Sequence, residues 1–267
     1  MNIIFSLVLY KQNLGIIKPL FIDIDKFYNY GLKKNTKTFL YIYDNSPSIN
    51  NDITKLIEKD YISYVHDSSN LGYGRAHNKN LLRKNFSNLN TVFIVINPDI
   101  TFNYLDLFNY LQNFLNSKYL CVAPLVINEK GEIQYSAKKN PTLLSLIIGR
   151  FNFLRSLKIF DNYQKLHLNQ KRNYKKEKIQ SSYLSGCFLI IKSTIYRKVK
   201  GFDNRYFLHL EDADFTRKCS YYGLVIHDPT LRVVHKWARG SHKSLRQMLC
   251  ILISLIKYFK KWGFVIF

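Results

Sequence analysis

Negative charge is scarce in this 267-residue chain: 18 Asp and Glu stand against 40 Lys and Arg, a formal net charge of +22. That balance argues against a basic partner and for an anionic one: nucleic acid, a phosphorylated substrate or an anionic membrane. The rival explanation is a coding bias toward Lys, Asn, Ile, Tyr and Phe that leaves the lysines merely solvated. Paired cysteines are also missing. Cys121, Cys187, Cys219 and Cys250 are scattered with no CxxC spacing, which speaks against a structural zinc and for a reducing compartment. The opening NIIFSLVLY has neither the basic start nor the small-residue cleavage site of a signal peptide. The tail LRQMLCILISLIKYFKKWGFVIF lacks the run of roughly 20 apolar residues that a spanning helix needs. No internal repeat is present. What remains, 47% hydrophobic and 15% aromatic residues, is the composition of a folded chain long enough for one large core.

Through the first half, strand-like and helix-like segments alternate. Residues 3–10, 38–43, 61–66 and 91–96 read as strands, and 19–30, 49–59 and 76–84 as helices between them. Such βαβ alternation predicts an α/β chain with a largely parallel sheet flanked by helices. Ligands in these sheets lie beyond the carboxyl ends of the strands. The second strand is followed by DNSP, the third by DSSNLGYGRAHN and the fourth by NPD. Each is polar, turn-forming and able to hold a ligand. A helix over 104–116, a strand over 119–126 and a hairpin turn over 128–132 come next. The stretch 141–180 reads as a basic insertion over one edge. A strand over 183–192 entered through Gly186 follows, then two short strands over 224–226 and 231–234.

Four motifs carry chemistry, and each also has a structural explanation. In NLGYGRAHN, Gly72 and Gly74 permit a tight turn, and Arg75 at a helix start suits phosphate. It is no dinucleotide fingerprint, because His77 stands where the third glycine belongs. In NPD, Pro98 ends the strand and Asp99 projects at the sheet edge, either as a cap for the next element or as a carboxylate for a divalent cation. Glu211, Asp212 and Asp214 crowd together after the apolar YFLHL. A helix start would explain Asp214, through the dipole and pairing with Arg217 or Lys218. Glu211 and Asp212 suit a pocket mouth, where a carboxylate takes a proton from an attacking hydroxyl. His235 ends a strand-like run and is a potential metal ligand, with Arg239 and His242 beyond it as cations for diphosphate.

Taken in order, DNSP, NLGYGRAHN, NPDI, SGCFLIIK, GFDNRYFLHLEDADFTRK and VVHKWARGSHKS resemble bacterial glycosyltransferases of family two. The likeness is to the rhamnosyltransferase branch that builds surface polysaccharides, and QYSAKKNPTLLSL fits that branch too. The resemblance implies a GT-A fold over 1–243, with a nucleotide-binding half at 1–126 and an acceptor half at 127–243. It implies an inverting transfer from a nucleotide-sugar donor, dTDP- or UDP-linked, with dTDP-rhamnose foremost. Asp44 would contact the donor's base or ribose, and Asn70, Gly72, Gly74, Arg75 and Asn78 would line the nucleotide. Asn97 and Asp99 stand where the family has its DxD motif, with Asn97 replacing the first carboxylate. Asp99 and His235 would hold Mg²⁺ or Mn²⁺, and Arg239 and His242 would face the diphosphate. Asp212 falls at the catalytic base with Glu211 beside it, and Gly186 and Asp214 fall on the acceptor side.

A glycan or polyprenyl-diphosphate-linked acceptor would bring the chain to the cytoplasmic, inner face of a bacterial plasma membrane. The basic stretches 165–178 and 257–261 are the candidates for contact with that anionic surface. The tail, 244–267, is expected as an amphipathic helix whose aromatic-lysine end attaches peripherally and whose first half either packs on the core or shares that interface. Two other classes compete. A nucleic-acid binder accounts for the charge and aromatics, but the basic residues are dispersed, no RNA- or DNA-binding motif appears, and the acidic cluster is unwelcome, so no nucleic acid is expected. An inactive homologue serving in assembly is the other.

Overall fold

The computed structural model describes residues 1–82, 90–236 and 245–267. Strand β1 (Asn2–Leu9) is buried along nearly its whole length. It pairs in parallel with β2 (Lys37–Asp44) on one side and β4 (Thr91–Ile96) on the other, and β3 (Ile62–His66) pairs in parallel with β2. Helices α1 (Leu14–Lys33), α2 (Asn51–Leu56) and α3 (Tyr73–Leu81) connect them. Asparagines start several helices: the side chains of Asn13 and Asn50 accept the first free N–H groups of α1 and α2. Helix α1 begins five residues before Pro19, not at it. Asn13 supplies the cap, and Pro19 stands inside the helix, where it forgoes the hydrogen bond an N–H there would make to the Gly15 carbonyl.

Next come β5 (Ile100–Phe102), α4 (Tyr104–Asn116), β6 (Tyr119–Ile127) and β7 (Ala137–Lys138). The expected hairpin turn after β6 is present, closed by Asn128 N–H to the Glu132 carbonyl at 2.9 Å. Helices α5 (Leu143–Arg150) and α6 (Lys158–His167) flank a 3₁₀ turn at Asn152–Ser156. They are followed by β8 (Ile179–Gln180), β9 (Tyr183–Leu184), β10 (Phe188–Lys192), α7 (Ser193–Lys198), α8 (Glu211–Ser220), β11 (Leu224–His235) and α9 (Leu245–Trp262). Among the described residues the main sheet has nine strands, ordered β3-β2-β1-β4-β10-β6-β11-β5, with β8 added to β11. Strand β10 is antiparallel to both neighbours and β11 is parallel to β6, so the sheet is mixed beyond β4.

Two strand expectations change in detail. The run over 183–192 is broken at Gly186: β9 pairs with β7 in a small separate sheet, while β10 enters the main one. The two short strands near the end are one, β11, with a register shift between Asp228 and Arg232. Alternation along β1 sends Ile3, Phe5 and Leu7 into the core against α1 and α4, and Ile4 into the core against α7 and α8. Cys121, Cys187 and Cys219 are buried free thiols, and Cys250 is half-buried.

The basic insertion is tied to the sheet edge. Lys178 pairs with the buried Asp228 at 3.0 Å, and His227 Nε2 lies 2.9 Å from the Tyr174 carbonyl. Helix α9 packs on α8, and its docking differs from the expectation for the aromatic-lysine end. Its aromatic-lysine end is the part that is docked: Tyr258 and Phe259 are buried and Lys261 is paired with Asp203 and Asp214. Large aliphatic residues of its first half face outward. A helix with apolar residues on two faces does not reveal from sequence which face finds the protein. Among the described residues no helix is long and apolar enough to cross a membrane.

Candidate active site

The ends of β2, β4 and β11, the entry to β10 and the starts of α3 and α8 meet on one side of the sheet. The half-buried Tyr73 stands among them. Its hydroxyl donates to the Gly186 carbonyl at 2.8 Å and to Asn97 Oδ1 at 3.0 Å. Gly186 N–H in turn donates to Asp212 Oδ2 at 2.9 Å. A continuous set of hydrogen bonds therefore links NPD at the end of β4 to Asp212 at the start of α8. Burial first, then Cys187 and the charges of Glu211, Asp212 and Asp99, hold the Tyr73 hydroxyl well above its usual pKa. All three carboxylates therefore lie around this ring.

The loop before α3 is built for close approach. Gly72 has φ +83°, and a Cβ there would collide with the Phe207 carbonyl, which accepts Tyr73 N–H at 3.0 Å. Asn70 also has positive φ, and its side chain accepts Gly72 N–H at 3.2 Å. A Cβ on Gly74 would come within 2.9 Å of the Phe202 Cβ. Below this loop Asp44 is buried at the end of β2, its oxygens accepting Ser46 N–H at 2.9 Å and Tyr64 O–H at 2.7 Å.

On the opposite side, Asp99 Oδ1 lies 3.1 Å from His235 Nε2. The imidazole is aimed by Gln134, whose Oε1 is 2.7 Å from Nδ1. Burial opposes protonation of His235, but Asp99 and the Cys187 thiol beside it outweigh this and push its pKa up to about 10. Among the described residues no group of three or more His, Cys, Asp or Glu is arranged to hold a metal. With its Nε2 proton displaced, His235 together with Asp99 would suit a divalent cation whose remaining ligands come from a bound diphosphate.

The acidic cluster divides into three roles. Asp212 is half-buried, held by Gly186 N–H and by Ala213 N–H at 2.8 Å. Glu211 is buried, and its Oε2 has no hydrogen-bond partner. Burial, followed by the charge of Asp212, raises its pKa to about 8. Asp214 departs from the acceptor-side expectation. It is fully buried behind the site, accepting Trp262 Nε1–H at 2.8 Å and pairing with Lys261 at 2.7 Å, so its carboxylate is not available to an acceptor. The turn that aims these residues is strained: His209 and Leu210 have φ of 70° and 64°.

Asn78 also departs from the donor-side expectation. The Asn78 amide is consumed inside the protein, donating to Phe202 O and Asn204 Oδ1 and accepting from Tyr196 O–H and Phe202 N–H. Arg75 Nε donates to the Asn204 carbonyl and, with Lys79, lines a cavity of about 510 Å³ beside Leu71 and Leu82. Arg239 and His242 lie outside the described residues. Tyr73, Cys187 and Gln134 were not legible as site residues. Tyr73 stands between two glycines, while Cys187 and Gln134 lie in SGCFLIIK and QYSAKKNPTLLSL, motifs that carry the resemblance without singling out either residue.

No family model matches the chain. In fold it is similar to GalNAc-T7 in complex with UDP, GalNAc and Mn²⁺, at a TM-score of 0.62 and 13% identity over 88% of this chain and 43% of that one. The fold is GT-A. In sequence the chain is 25% identical over 207 residues to the rhamnosyltransferase WbbL of Escherichia coli K12, covering 73% of this chain and 71% of the relative. It is 24% identical over 196 residues to the N-acetylglucosaminyl-diphospho-decaprenol L-rhamnosyltransferase of Mycobacterium tuberculosis, covering 65% and 58%. This chain is thus rhamnosyltransferase-like, in keeping with its likeness to family-two glycosyltransferases.

Proposed function

We propose that this glycosyltransferase-like chain transfers a sugar, foremost rhamnose from dTDP-rhamnose, with inversion onto a lipid-linked glycan of surface polysaccharide assembly. The observation that carries the reading is the convergence of Asp99, His235 and Asp212 around Tyr73. In an inverting transfer the acceptor hydroxyl attacks the anomeric carbon from the face opposite the leaving diphosphate. Asp212, accessible and fixed by Gly186 N–H, takes the hydroxyl proton as the bond to carbon forms. Positive charge developing on the sugar is offset by Asp212.

The nucleotide would lie over the Asn70–Gly72 loop with Asp44 beneath it. Asp99 and His235 would hold Mg²⁺ or Mn²⁺, which when bound offsets charge on the diphosphate. The Mn²⁺ of the GalNAc-T7 complex supports this assignment. The name of the mycobacterial relative supports a polyprenyl-diphosphate-linked acceptor, and such an acceptor supports attachment at the inner face of a bacterial membrane. The test is transfer. dTDP-rhamnose with Mn²⁺ should raise the melting temperature and label a short-chain N-acetylglucosaminyl-diphospho-lipid. If no nucleotide sugar is bound or turned over, the reading fails.

A further inference from the structure

Helix α9 has two apolar faces. The inner face is occupied: Leu255, Tyr258 and Phe259 are buried, and Ser254 Oγ donates to the Leu208 carbonyl at 2.8 Å. The outer face is not. Leu249, Leu252, Ile253 and Ile256 follow the i, i+3, i+4, i+7 spacing of a single stripe and are 57%, 47%, 50% and 55% exposed. The chain end adds Phe264, Ile266 and Phe267, all exposed. This end is held beside α5 by hydrogen bonds of 2.9 Å from Leu143 N–H to the Val265 carbonyl and from Leu144 N–H to the Ile266 carbonyl. Isolated exposed aliphatics are ordinary, but a stripe at helical spacing next to an exposed aromatic end marks a contact surface.

Charge decides the partner. No Asp or Glu follows Asp228 in the sequence, and exposed Lys260 stands one turn beyond Ile256 in line with the stripe. Asp203 and Asp214, which meet the docked end of the helix, are taken by Lys261. We propose that this outer face of α9, with the chain end, docks on an anionic phospholipid bilayer. Aliphatic side chains enter the headgroup–acyl boundary while Lys260 meets the headgroups, as in interfacial amphipathic helices. A second copy of this chain would bring the same basic face and be repelled. The inference deepens the membrane attachment proposed above and rests on it for the choice of lipid. It differs from the sequence expectation in using the stripe rather than the aromatic-lysine end.

Flotation with phosphatidylcholine vesicles, with and without phosphatidylglycerol, tests it. The full chain should float with the anionic vesicles. The double variant Leu252→Ser, Ile256→Ser should lose that binding by more than about ten-fold while melting at the wild-type temperature. Should the double variant fold poorly, Lys260→Glu should still weaken binding. Three outcomes overturn the proposal: no flotation of the wild type, undiminished flotation of a folded variant, or a wild-type dimer that the double variant splits into monomers. No nucleotide sugar is present in the assay, so its result stands whether or not the chain transfers sugar.

Discussion

Trp262 Nε1 donates to Asp214 Oδ1 at 2.8 Å and so fastens the C-terminal helix to the helix that starts with Glu211 and Asp212. The fastening has other members. Arg217 lies over the Trp262 ring at 4.4 Å and donates to the Tyr258 hydroxyl at 3.0 Å. Ser254 holds the Leu208 carbonyl just before the strained His209–Leu210 turn. Left-handed backbone at a leucine persists only where its surroundings impose it, and Leu210 is packed against Tyr206, Leu255 and Tyr258. Trp262 is therefore a positioning residue. Trp262→Phe is expected to lower kcat several-fold with donor KM unchanged, and to cost about 1 kcal/mol of stability. Steady-state kinetics beside a denaturation curve separate this from a purely structural loss, which would lower stability and leave kcat intact.

Glu211 gives a pH signature. Its pKa is raised from the ordinary 4.5 to about 8 by burial and by Asp212. Between those values the folded state keeps a proton that the unfolded state has released, so stability falls as pH rises through that window. Glu211→Gln stays neutral and should flatten the fall. Melting curves between the two pH limits check it, and parallel curves for wild type and variant would refute it.

Tyr73 bridges NPD and Gly186, so removing only its hydroxyl should loosen both sides of the site at once. Tyr73→Phe is expected to reduce kcat about ten-fold, with a stability loss of about 1 kcal/mol. Kinetics with saturating donor measure it.

Asp99 and His235 should report on metal. Chelation is expected to weaken binding of the nucleoside diphosphate, and Mn²⁺ to restore it. In Asp99→Ala the restoration should be lost while binding of the nucleoside alone is retained. Calorimetry with and without Mn²⁺ reads both.

Much of this arrangement was legible because apolar runs that end in polar turns fix strand ends, and strand ends fix where a sheet binds ligands. The strands ending at Asp44 and before Asn97 show this. The pairing of Asp99 with His235 came from the order of motifs, since residues so distant in sequence share no local signal. Other positions were opaque for physical reasons. An asparagine in a polar motif looks the same whether it meets a ligand or, as Asn78 does, holds a neighbouring loop. Asp212 and Asp214 are two residues apart, and only the packing of α9 decides that one faces the site and the other faces Trp262 and Lys261.

In the proposed transfer, Asp212 is the residue on which the chemistry turns. Asp212→Asn can keep the Gly186 N–H contact through its one amide oxygen, giving up the Ala213 contact, but it cannot take a proton. Calorimetry should find donor binding within a few-fold of wild type, while transfer in the same preparation falls by about 10²-fold or more. Near-normal transfer by this variant would contradict the account.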